Sequence, residues 1–113
     1  MSSDCLFCKF VTGELAADIV GESETSLAFR DIAPQAPVHV LVVPKRHVEN
    51  AAELASSAEE LADVVRLAAA VADSEGVAGA YRLVTNTGKD GGQAVFHMHL
   101  HLLGGRRMTW PPG

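Results

Sequence analysis

The sequence predicts an α+β fold in which one long helix packs on a mostly antiparallel sheet. Three observations predict it. A capped, amphipathic segment covers residues 57–75. The run Val38-His39-Val40-Leu41-Val42-Val43 is rich in β-branched residues and ends at Pro44, which is typical of a buried central strand. Residues 96–102 alternate apolar side chains with imidazoles, which is the period-two pattern of a strand with two different faces.

Two short strands precede the central strand. Residues 18–22 and 27–30 are predicted to form them, with Ser23-Glu24-Thr25 as the turn between them. The segment Ala33-Pro34-Gln35-Ala36-Pro37 then predicts an extended loop, because each proline pushes the residue before it out of the helical region.

Residues 50–75 have a helical pattern. Ser57 and Glu60 predict a capping box, in which the hydroxyl and the carboxylate accept from N–H groups of the first turn. Gly76 is predicted to end the helix. The apolar residues that recur at helical spacing predict the face that packs on the sheet: Leu61, Val64, Val65, Ala68, Val71 and Ala72.

The last third of the chain is predicted to contain two strands and a tail. Residues 81–85 and 95–103 form the strands, and the polar, glycine-containing residues 86–92 form the loop between them. Residues 104–113 end in Trp110-Pro111-Pro112-Gly113, which is compatible neither with a helix nor with a central strand.

The composition indicates a single domain, residues 1–113, because a chain of 113 residues has room for one core. No apolar stretch approaches the ~20 residues of a membrane span. The N-terminus lacks the basic and apolar regions of a signal peptide, so we expect a cytoplasmic protein with no membrane partner. The net charge of −5 argues against nucleic-acid binding, but backbone N–H groups could still hold a small phosphorylated ligand.

The two cysteines, Cys5 and Cys8, form a C-x-x-C motif. In a cytosolic chain this spacing favours metal binding or redox chemistry over a structural disulfide. A thioredoxin-like motif follows a strand, and no strand is predicted before Cys5, so metal binding is the stronger hypothesis. The alternative is that both are small, half-buried apolar side chains.

Three histidines, His97, His99 and His101, alternate with apolar residues. On a strand all three share one face, with ~6.5–7 Å between neighbours, while Phe96, Met98, Leu100 and Leu102 face the core. On a helix the middle histidine would point away from the other two. A single strand histidine is usually a hydrogen-bonded structural residue, but three on one face indicate a functional site.

Two chemistries fit three imidazoles on one face. They could hold a catalytic metal, as in His₃ zinc sites. Alternatively the middle one, His99, is a nucleophile that forms a covalent intermediate, because a neutral imidazole attacks well and leaves readily. The preceding loop has glycines at positions 88, 91 and 92, where backbone N–H groups can approach a phosphate closely. This loop favours phosphoryl or nucleotidyl transfer.

These residues resemble the histidine triad (HIT) family. The run His97-Met98-His99-Leu100-His101-Leu102-Leu103 is similar to its H-x-H-x-H-x-x motif. Three further blocks resemble the Hint branch, the purine nucleoside phosphoramidases. They are Phe29 through His39, Asp90-Gly91-Gly92-Gln93, and Leu103-Gly104-Gly105-Arg106 with the terminal Trp110-Pro111-Pro112-Gly113. The similarity extends from about Cys5 to the last residue.

The resemblance implies a homodimer whose sheet continues across the two subunits, with one purine nucleotide site in each. The implied substrates are nucleoside 5′-phosphoramidates and related adenylates, which are hydrolysed to the nucleoside monophosphate without a catalytic cofactor. His99 matches the nucleophile, His101 the histidine that contacts phosphate oxygens and the leaving group, and His97 the histidine that supports the nucleophile.

The resemblance also implies a set of binding residues. Asp31 matches the acid that accepts from the ribose hydroxyls. The partner subunit's Trp110 would reach this subunit's site and influence the choice of leaving group. Two further groups match the apolar slot for the purine and the phosphate contacts: Leu6, Phe7, Phe29 and Ile32, and then Asn86, Gly92, Gln93 and Ala94.

Two features set this chain apart from the phosphoramidases. Ala94 stands where they carry a serine whose hydroxyl can donate to the phosphate or to the leaving amine, so the rate with poor leaving groups is in question. The N-terminal C-x-x-C matches bacterial relatives that bind a structural zinc, and this likeness implies four ligands: Cys5, Cys8, His47 and His97. If His97 binds zinc, only His99 and His101 remain for the chemistry.

Two other functions are compatible with the sequence. A nucleotide-binding regulatory protein would bind a monophosphate without forming a covalent adduct. A His₃ metallohydrolase would lose activity with a chelator and regain it with zinc, whereas the triad chemistry needs no metal.

Overall fold

The computed structural model describes residues 4–113 and confirms the α+β fold. Its antiparallel sheet has five strands in the order β1-β2-β3-β5-β4. The strands are β1 Ile19–Glu22, β2 Ser26–Arg30, β3 Val38–Pro44, β4 Tyr81–Val84 and β5 Leu100–Gly104. Every residue of the central strand β3 is buried, as the apolar run predicts. Among the described residues no helix is long and apolar enough to cross a membrane.

The long helix α3, Ala58–Ser74, covers one face of the sheet. The Ser57 hydroxyl accepts from the Glu60 N–H, which confirms half of the capping box. The other half is wrong, because the Ser57 N–H donates to the Leu54 carbonyl at 2.9 Å, while the Glu60 carboxylate accepts from Arg46 at 2.7 and 3.0 Å. Gly76 has a φ of 76° directly after the helix, which confirms the predicted glycine stop.

Two details of the helical region differ from the prediction. A separate short helix, α2 (Ala51–Leu54), is capped by Asn50 and is not continuous with α3. Val65 is 43% exposed, so its assignment to the packed face is wrong, while Leu67 is buried there. Val65 directly follows the buried Val64, and the next position on a helix turns away from the sheet.

The sequence did not predict the first helix, α1, Leu6–Thr12. Cys5 caps it, because its Sγ accepts from the Cys8 N–H at 3.4 Å. The helix lies on the sheet face opposite α3, and Phe7 anchors it in a second apolar cluster with Leu27, Phe29, Leu41 and Val43.

The last strand begins later than predicted, at Leu100 instead of residue 95. Val42 pairs with Leu100, so the next two pairs in register would be Val43 with His99 and Pro44 with Met98. Proline has no N–H to donate, and the Met98 N–H instead donates to the Val48 carbonyl at 2.7 Å. The predicted orientation of Phe96 toward the core is also wrong, because this side chain is 45% exposed.

The turn between β1 and β2 is tied to α3 through one carboxylate oxygen. Asp63 Oδ2 accepts from the hydroxyls of Ser23, Thr25 and Ser26, the last two at 2.6 and 2.7 Å. The hydrogen bonds from Ser23 and Thr25 are the main reason that the pKa of Asp63 lies below its usual range.

We expect Asp63→Asn to lower the free energy of unfolding by about 1–3 kcal/mol at neutral pH, because three hydroxyls lose a charged acceptor. A lowered carboxyl pKa stabilises the fold above the ordinary aspartate value of about 3.9, and this contribution disappears as the pH falls through the folded-state value. Urea unfolding at several pH values should show the two proteins converging in acid. Asp73→Asn, at an exposed position on the same helix, is the matched control, and an equal loss there would contradict the assignment.

Candidate active site

A cleft of about 870 Å³ opens on the sheet face opposite α3. Helix α1 forms one wall, and the loops after β2 and β4 complete the rim. Ten of the residues predicted for the nucleotide site line this cleft: Leu6, Phe7, Phe29, Asp31, Ile32, Asn86, Gly92, Ala94, His99 and His101.

Aromatic rings form part of the cleft lining. Phe7 and Phe10 on α1 both meet Phe29 of β2 edge to face, with ring centroids 5.4 and 5.0 Å apart. Ile32, which also lines the cleft, is fully exposed. An apolar slot between rigid rings and an exposed aliphatic side chain suits a flat heteroaromatic ligand.

His99 lies at the floor of the cleft with one ring nitrogen already engaged. Its Nδ1 donates to the main-chain carbonyl of His97 at 2.8 Å, and that bond is buried. The ring also meets Phe7 edge-on at 5.1 Å and His101 at 5.0 Å. With Nδ1 engaged in this way, Nε2 is the nitrogen available to a ligand.

His101 belongs to a chain of hydrogen bonds that the sequence did not predict. The Gln35 N–H donates to His39 Nδ1 at 2.9 Å, so the His39 hydrogen is on Nε2. That Nε2 lies 2.9 Å from His101 Nδ1 and donates to it. The remaining hydrogen of His101 is therefore on Nε2, which makes this atom a donor.

Burial keeps both members of this pair neutral. Desolvation, followed by repulsion from the charged forms of the neighbouring His99 and His39 rings, lowers the pKa of His101 to about 4. Desolvation also lowers the pKa of His39, although the Asp31 carboxylate opposes this shift. A bound anion next to His101 would favour its charged form and raise the value again.

Asp31 lies at the rim beside this histidine pair. Its Oδ1 accepts from the Ala33 N–H at 2.7 Å, and its Oδ2 lies 3.5 Å from His39 Nε2. The first contact fixes the carboxylate in a turn. The carboxylate retains acceptor capacity toward the cleft, which is the capacity that a vicinal diol requires.

The glycine loop before the histidines uses several of its N–H groups internally. The Gly92 N–H donates to the Lys89 carbonyl and the Gln93 N–H to the Gly88 carbonyl, both at 3.0 Å. Within the described residues the Ala94 N–H has no protein acceptor, and Ala94 lines the cleft. It is therefore a main-chain donor at the cleft that remains for a ligand.

Two predicted contact residues lie elsewhere. The Gln93 side chain is buried, and its amide donates to the carbonyls of Glu49 and Val95 while its Oε1 accepts from Gly88. Gln93 therefore shapes the loop and has no free side-chain group to offer a phosphate. Trp110 is 81% exposed and lies outside this subunit's own cleft, so its contact with a partner's site stays a prediction.

The His97 side chain turns away from the cleft and joins Cys5, Cys8 and His47. Its Nδ1 lies 3.4 Å from Cys5 Sγ, 3.5 Å from Cys8 Sγ and 3.2 Å from His47 Nδ1. In a tetrahedral site with Zn–S of about 2.3 Å and Zn–N of about 2.05 Å, the S···N and N···N separations are about 3.5 and 3.3 Å. The observed distances are close to those values.

The proton positions also fit a metal. His97 Nε2 lies 2.7 Å from the Pro44 carbonyl, which only accepts, so the hydrogen is on Nε2 and the Nδ1 lone pair faces the two thiols. Burial, with the hydrogen bond and charge of Cys5, raises the pKa of Cys8 to about 11. A divalent cation reverses that effect by stabilising the thiolate. Residues of this type in this arrangement suit a closed structural zinc site.

A second group of possible metal ligands, Asp31, His39 and His101, does not fit a cation. His39 Nε2 carries the hydrogen that it donates to His101, because its Nδ1 already accepts from Gln35. A donor nitrogen aimed at its neighbour leaves no lone pair for a metal. The group is better described as a hydrogen-bonded relay.

The structure does not bring the three histidines of the run to one metal position. The His97 imidazole lies with the cysteines, whereas His99 and His101 face the cleft. Within the described residues the ligand groups that converge are the two described above. This geometry argues against a His₃ catalytic metal.

Sequence reasoning missed several residues of the site. His39 is the most important, and its signal was one imidazole in an otherwise apolar strand. In the β3–β5 register Leu41 pairs with His101, so His39 lies diagonally across from it, within reach of a long side chain. The unpredicted cleft residues are Phe10, Ala16, Ala17, Asp18, Arg30, Leu41 and Val95.

Comparison with known proteins assigns the family. The family model described as the HIT domain matches residues 12–108. The chain belongs to the HIT family. An uncharacterised HIT-like protein of Synechococcus elongatus is 50% identical over 114 residues, which cover all of both chains.

Solved structures of the HIT family have the same fold. A HIT family hydrolase from Legionella pneumophila is 50% identical, with a TM-score of 0.93 over 97% of this chain and 100% of that one. A HIT family hydrolase from Clostridium thermocellum is 46% identical, with a TM-score of 0.92 over 96% of each chain. This HIT protein is therefore hydrolase-like, with its triad histidines at the cleft and beside the cysteines.

His101 should make stability depend on pH. Its folded-state pKa of about 4 lies below the ordinary histidine value of about 6.5, so the unfolded chain binds more protons between these values. The free energy of unfolding should therefore fall as the pH drops from about 6.5 toward 4. His101→Gln removes this contribution, and urea unfolding at a fixed zinc concentration should show a shallower fall than in the wild type. Parallel curves for the two proteins would contradict the assignment.

Proposed function

We propose that this protein hydrolyses nucleoside 5′-phosphoramidates and related adenylates to the nucleoside monophosphate through a nucleotidyl-His99 intermediate. One observation carries the proposal. His99 Nδ1 donates to the His97 carbonyl at the floor of the cleft, which leaves Nε2 as an oriented nucleophile. A ring nitrogen prepared in this way, beside a second histidine with a donor Nε2, is the arrangement that covalent catalysis by imidazole requires.

The lining of the cleft suggests how a purine nucleotide binds. The base occupies the slot between the α1 aromatic residues and Ile32, and the ribose hydroxyls donate to Asp31. The α-phosphate then lies near His99 and His101, where the Ala94 N–H and the Asn86 amide can donate to its oxygens. One cleft thus holds an apolar slot for the base, an acceptor for the sugar and donors for the phosphate.

The first chemical step breaks the bond between phosphorus and the leaving group. The phosphate anion raises the pKa of His101, which takes up a proton when the substrate binds. His99 Nε2 attacks the α-phosphorus, and the P–N electron pair departs with the nitrogen. That nitrogen receives the Nε2 proton of His101, while the Ala94 N–H stabilises a phosphate oxygen.

The second step restores the enzyme. His101, now neutral, accepts a proton from a water molecule as the water oxygen attacks the phosphorus of nucleotidyl-His99. The N–P bond breaks, His99 leaves as a neutral imidazole, and the nucleoside monophosphate is released. In the resting protein His39 Nε2 donates to His101 Nδ1, so the hydrogen of neutral His101 is on Nε2. While His101 is charged both of its nitrogens carry hydrogen, and Nε2 is the atom that gives and then takes back the proton. His101 loses its added proton when the monophosphate leaves.

We also propose a structural zinc held by Cys5, Cys8, His47 and His97. The ion would supply a tetrahedral crosslink between α1, the segment after β3 and the segment before β5. It has no part in either chemical step, because His97 Nδ1 faces the thiols and not the cleft.

His99→Ala should lower kcat by roughly 10⁴-fold or more, because it removes the nucleophile and not a binding group. Affinity for adenosine monophosphate, measured by calorimetry, should change little. A variant with near-normal turnover would refute the nucleophile assignment. A wild-type protein that binds the monophosphate but does not turn over any phosphoramidate would instead indicate a nucleotide-binding regulatory protein.

Ala94→Ser should accelerate hydrolysis of substrates with poor amine leaving groups. The added hydroxyl contributes one hydrogen bond of about 1 kcal/mol to the departing nitrogen, or roughly fivefold in rate. Substrates with good acyl leaving groups serve as the internal control and should gain less. Equal acceleration of both classes would show that the hydroxyl acts on binding, not on departure.

The sheet edge at β4 supports the proposed homodimer. All four residues of this edge strand are half-buried in the single chain, and Arg82 Nη2 donates to the Thr109 carbonyl at 2.7 Å, which fixes the tail beside it. Unpaired edge strands invite pairing with another chain. Sedimentation equilibrium should give twice the 11.9 kDa mass of one chain, and a monomer at micromolar concentration would contradict the proposal.

A further inference from the structure

We infer that the group formed by Cys5, Cys8, His47 and His97 positions the nucleotide cleft, so that metal binding and nucleotide binding strengthen each other. This inference rests on the proposed nucleotide site. It adds that the four side chains are energetically coupled to that site, beyond holding the N-terminal segment in place.

The first connection runs through helix α1. Cys5 caps this helix and Cys8 lies on it, while Leu6, Phe7 and Phe10 of the same helix line the cleft. A helix of seven residues is too short to be stable by itself in water. The position of α1 therefore depends on its contacts with the rest of the protein, and the contacts of the two cysteines with His97 are among them. A metal at these ligands would fix the aromatic wall before a base arrives.

The second connection runs through the main chain of His97. The His97 ring belongs to the metal-ligand group, while its carbonyl accepts from His99 Nδ1. Residues 95–99 lie outside the β5 ladder, so the sheet does not hold this carbonyl in place. The His97 side chain and the Met98 N–H bond to Val48 hold it instead. Fixing the ring therefore fixes the acceptor that orients the nucleophile.

The Phe7 side chain joins these two connections. Its ring meets the His97 ring at 5.9 Å and the His99 ring at 5.1 Å, edge-on in both cases. It is 4% exposed and also packs on Phe29 inside the cleft. A displacement of α1 therefore moves the aromatic wall and removes a contact from the nucleophile at the same time.

Coupling of this kind is reciprocal. If the metal improves nucleotide affinity by a given factor, the nucleotide improves metal affinity by the same factor. Zinc retention thus reports on the nucleotide cleft without any measurement of turnover.

The experiment starts from the folded, zinc-loaded chain and measures zinc transfer to a chromophoric chelator at equilibrium. Adenosine monophosphate at saturating concentration should raise the zinc affinity of the chain by at least about fivefold, the lower end of typical coupling. Calorimetry on the metal-free chain, with circular dichroism to verify its fold, should show monophosphate affinity lower by the same factor. Zinc affinities that agree within twofold, with and without the nucleotide, would overturn the inference.

Two phenylalanine variants on α1 form a matched pair. Phe7 touches both histidine rings, whereas the aromatic contacts of Phe10 within the described residues are Phe7 and Phe29. Phe7→Leu should reduce the effect of the nucleotide on zinc transfer at least twofold. Phe10→Leu should weaken nucleotide affinity. At a saturating nucleotide concentration, however, the effect of the nucleotide on zinc transfer should stay within twofold of the wild-type effect. An equal reduction in both variants would overturn the specific role of Phe7.

The outcomes separate this inference from the proposed function. Tight monophosphate binding that is independent of zinc would overturn the coupling and leave the nucleotide site intact. A zinc-loaded chain that fails to bind the monophosphate would overturn both. A chain purified and reconstituted with zinc that retains none of it would overturn the metal site and the coupling, while turnover could still proceed.

Discussion

The hydrogen bond from His99 Nδ1 to the His97 carbonyl is the interaction on which the site depends. It is buried and 2.8 Å long, and it leaves Nε2 to face the cleft. The bond exists because the β3–β5 ladder ends at the Val42–Leu100 pair, which lets residues 95–99 leave the regular strand. A continuous strand would direct all three imidazoles to one face. The break instead assigns His97 to the cysteines and keeps His99 and His101 for the cleft.

Hydrogen bonds fix the tautomer of each histidine and thereby give similar side chains different chemistry. His97 Nε2 faces the Pro44 carbonyl, so its Nδ1 is a ligand. His39 Nδ1 accepts from Gln35, so its Nε2 is a donor and the neighbouring His101 becomes a donor at its own Nε2. The histidines beside the two cysteines therefore suit a cation, whereas His39 and His101, beside Asp31, suit a proton relay. Their residue composition alone does not distinguish them.

The sequence predicted those features that depend on local patterns. The apolar run of β3, the Ser57 cap and the glycine stop of α3 follow from periodicity and capping, and all three are confirmed. Helix α1 was missed because a seven-residue segment with a cysteine cap has no strong periodic signal. The early end of the β5 ladder was missed because it depends on pairing with a proline in another strand. His39 was missed for a similar reason, since its role appears only when two distant strands are in register.

The most direct test of the account is a search for the covalent intermediate. Wild-type protein mixed with an adenosine 5′-phosphoramidate, quenched in the millisecond range and analysed by intact and peptide mass spectrometry, should carry one nucleotidyl group. Because His99 Nε2 is the oriented nitrogen at the cleft floor, the group should map to His99. Turnover without any adduct, or an adduct on another residue, would contradict the account.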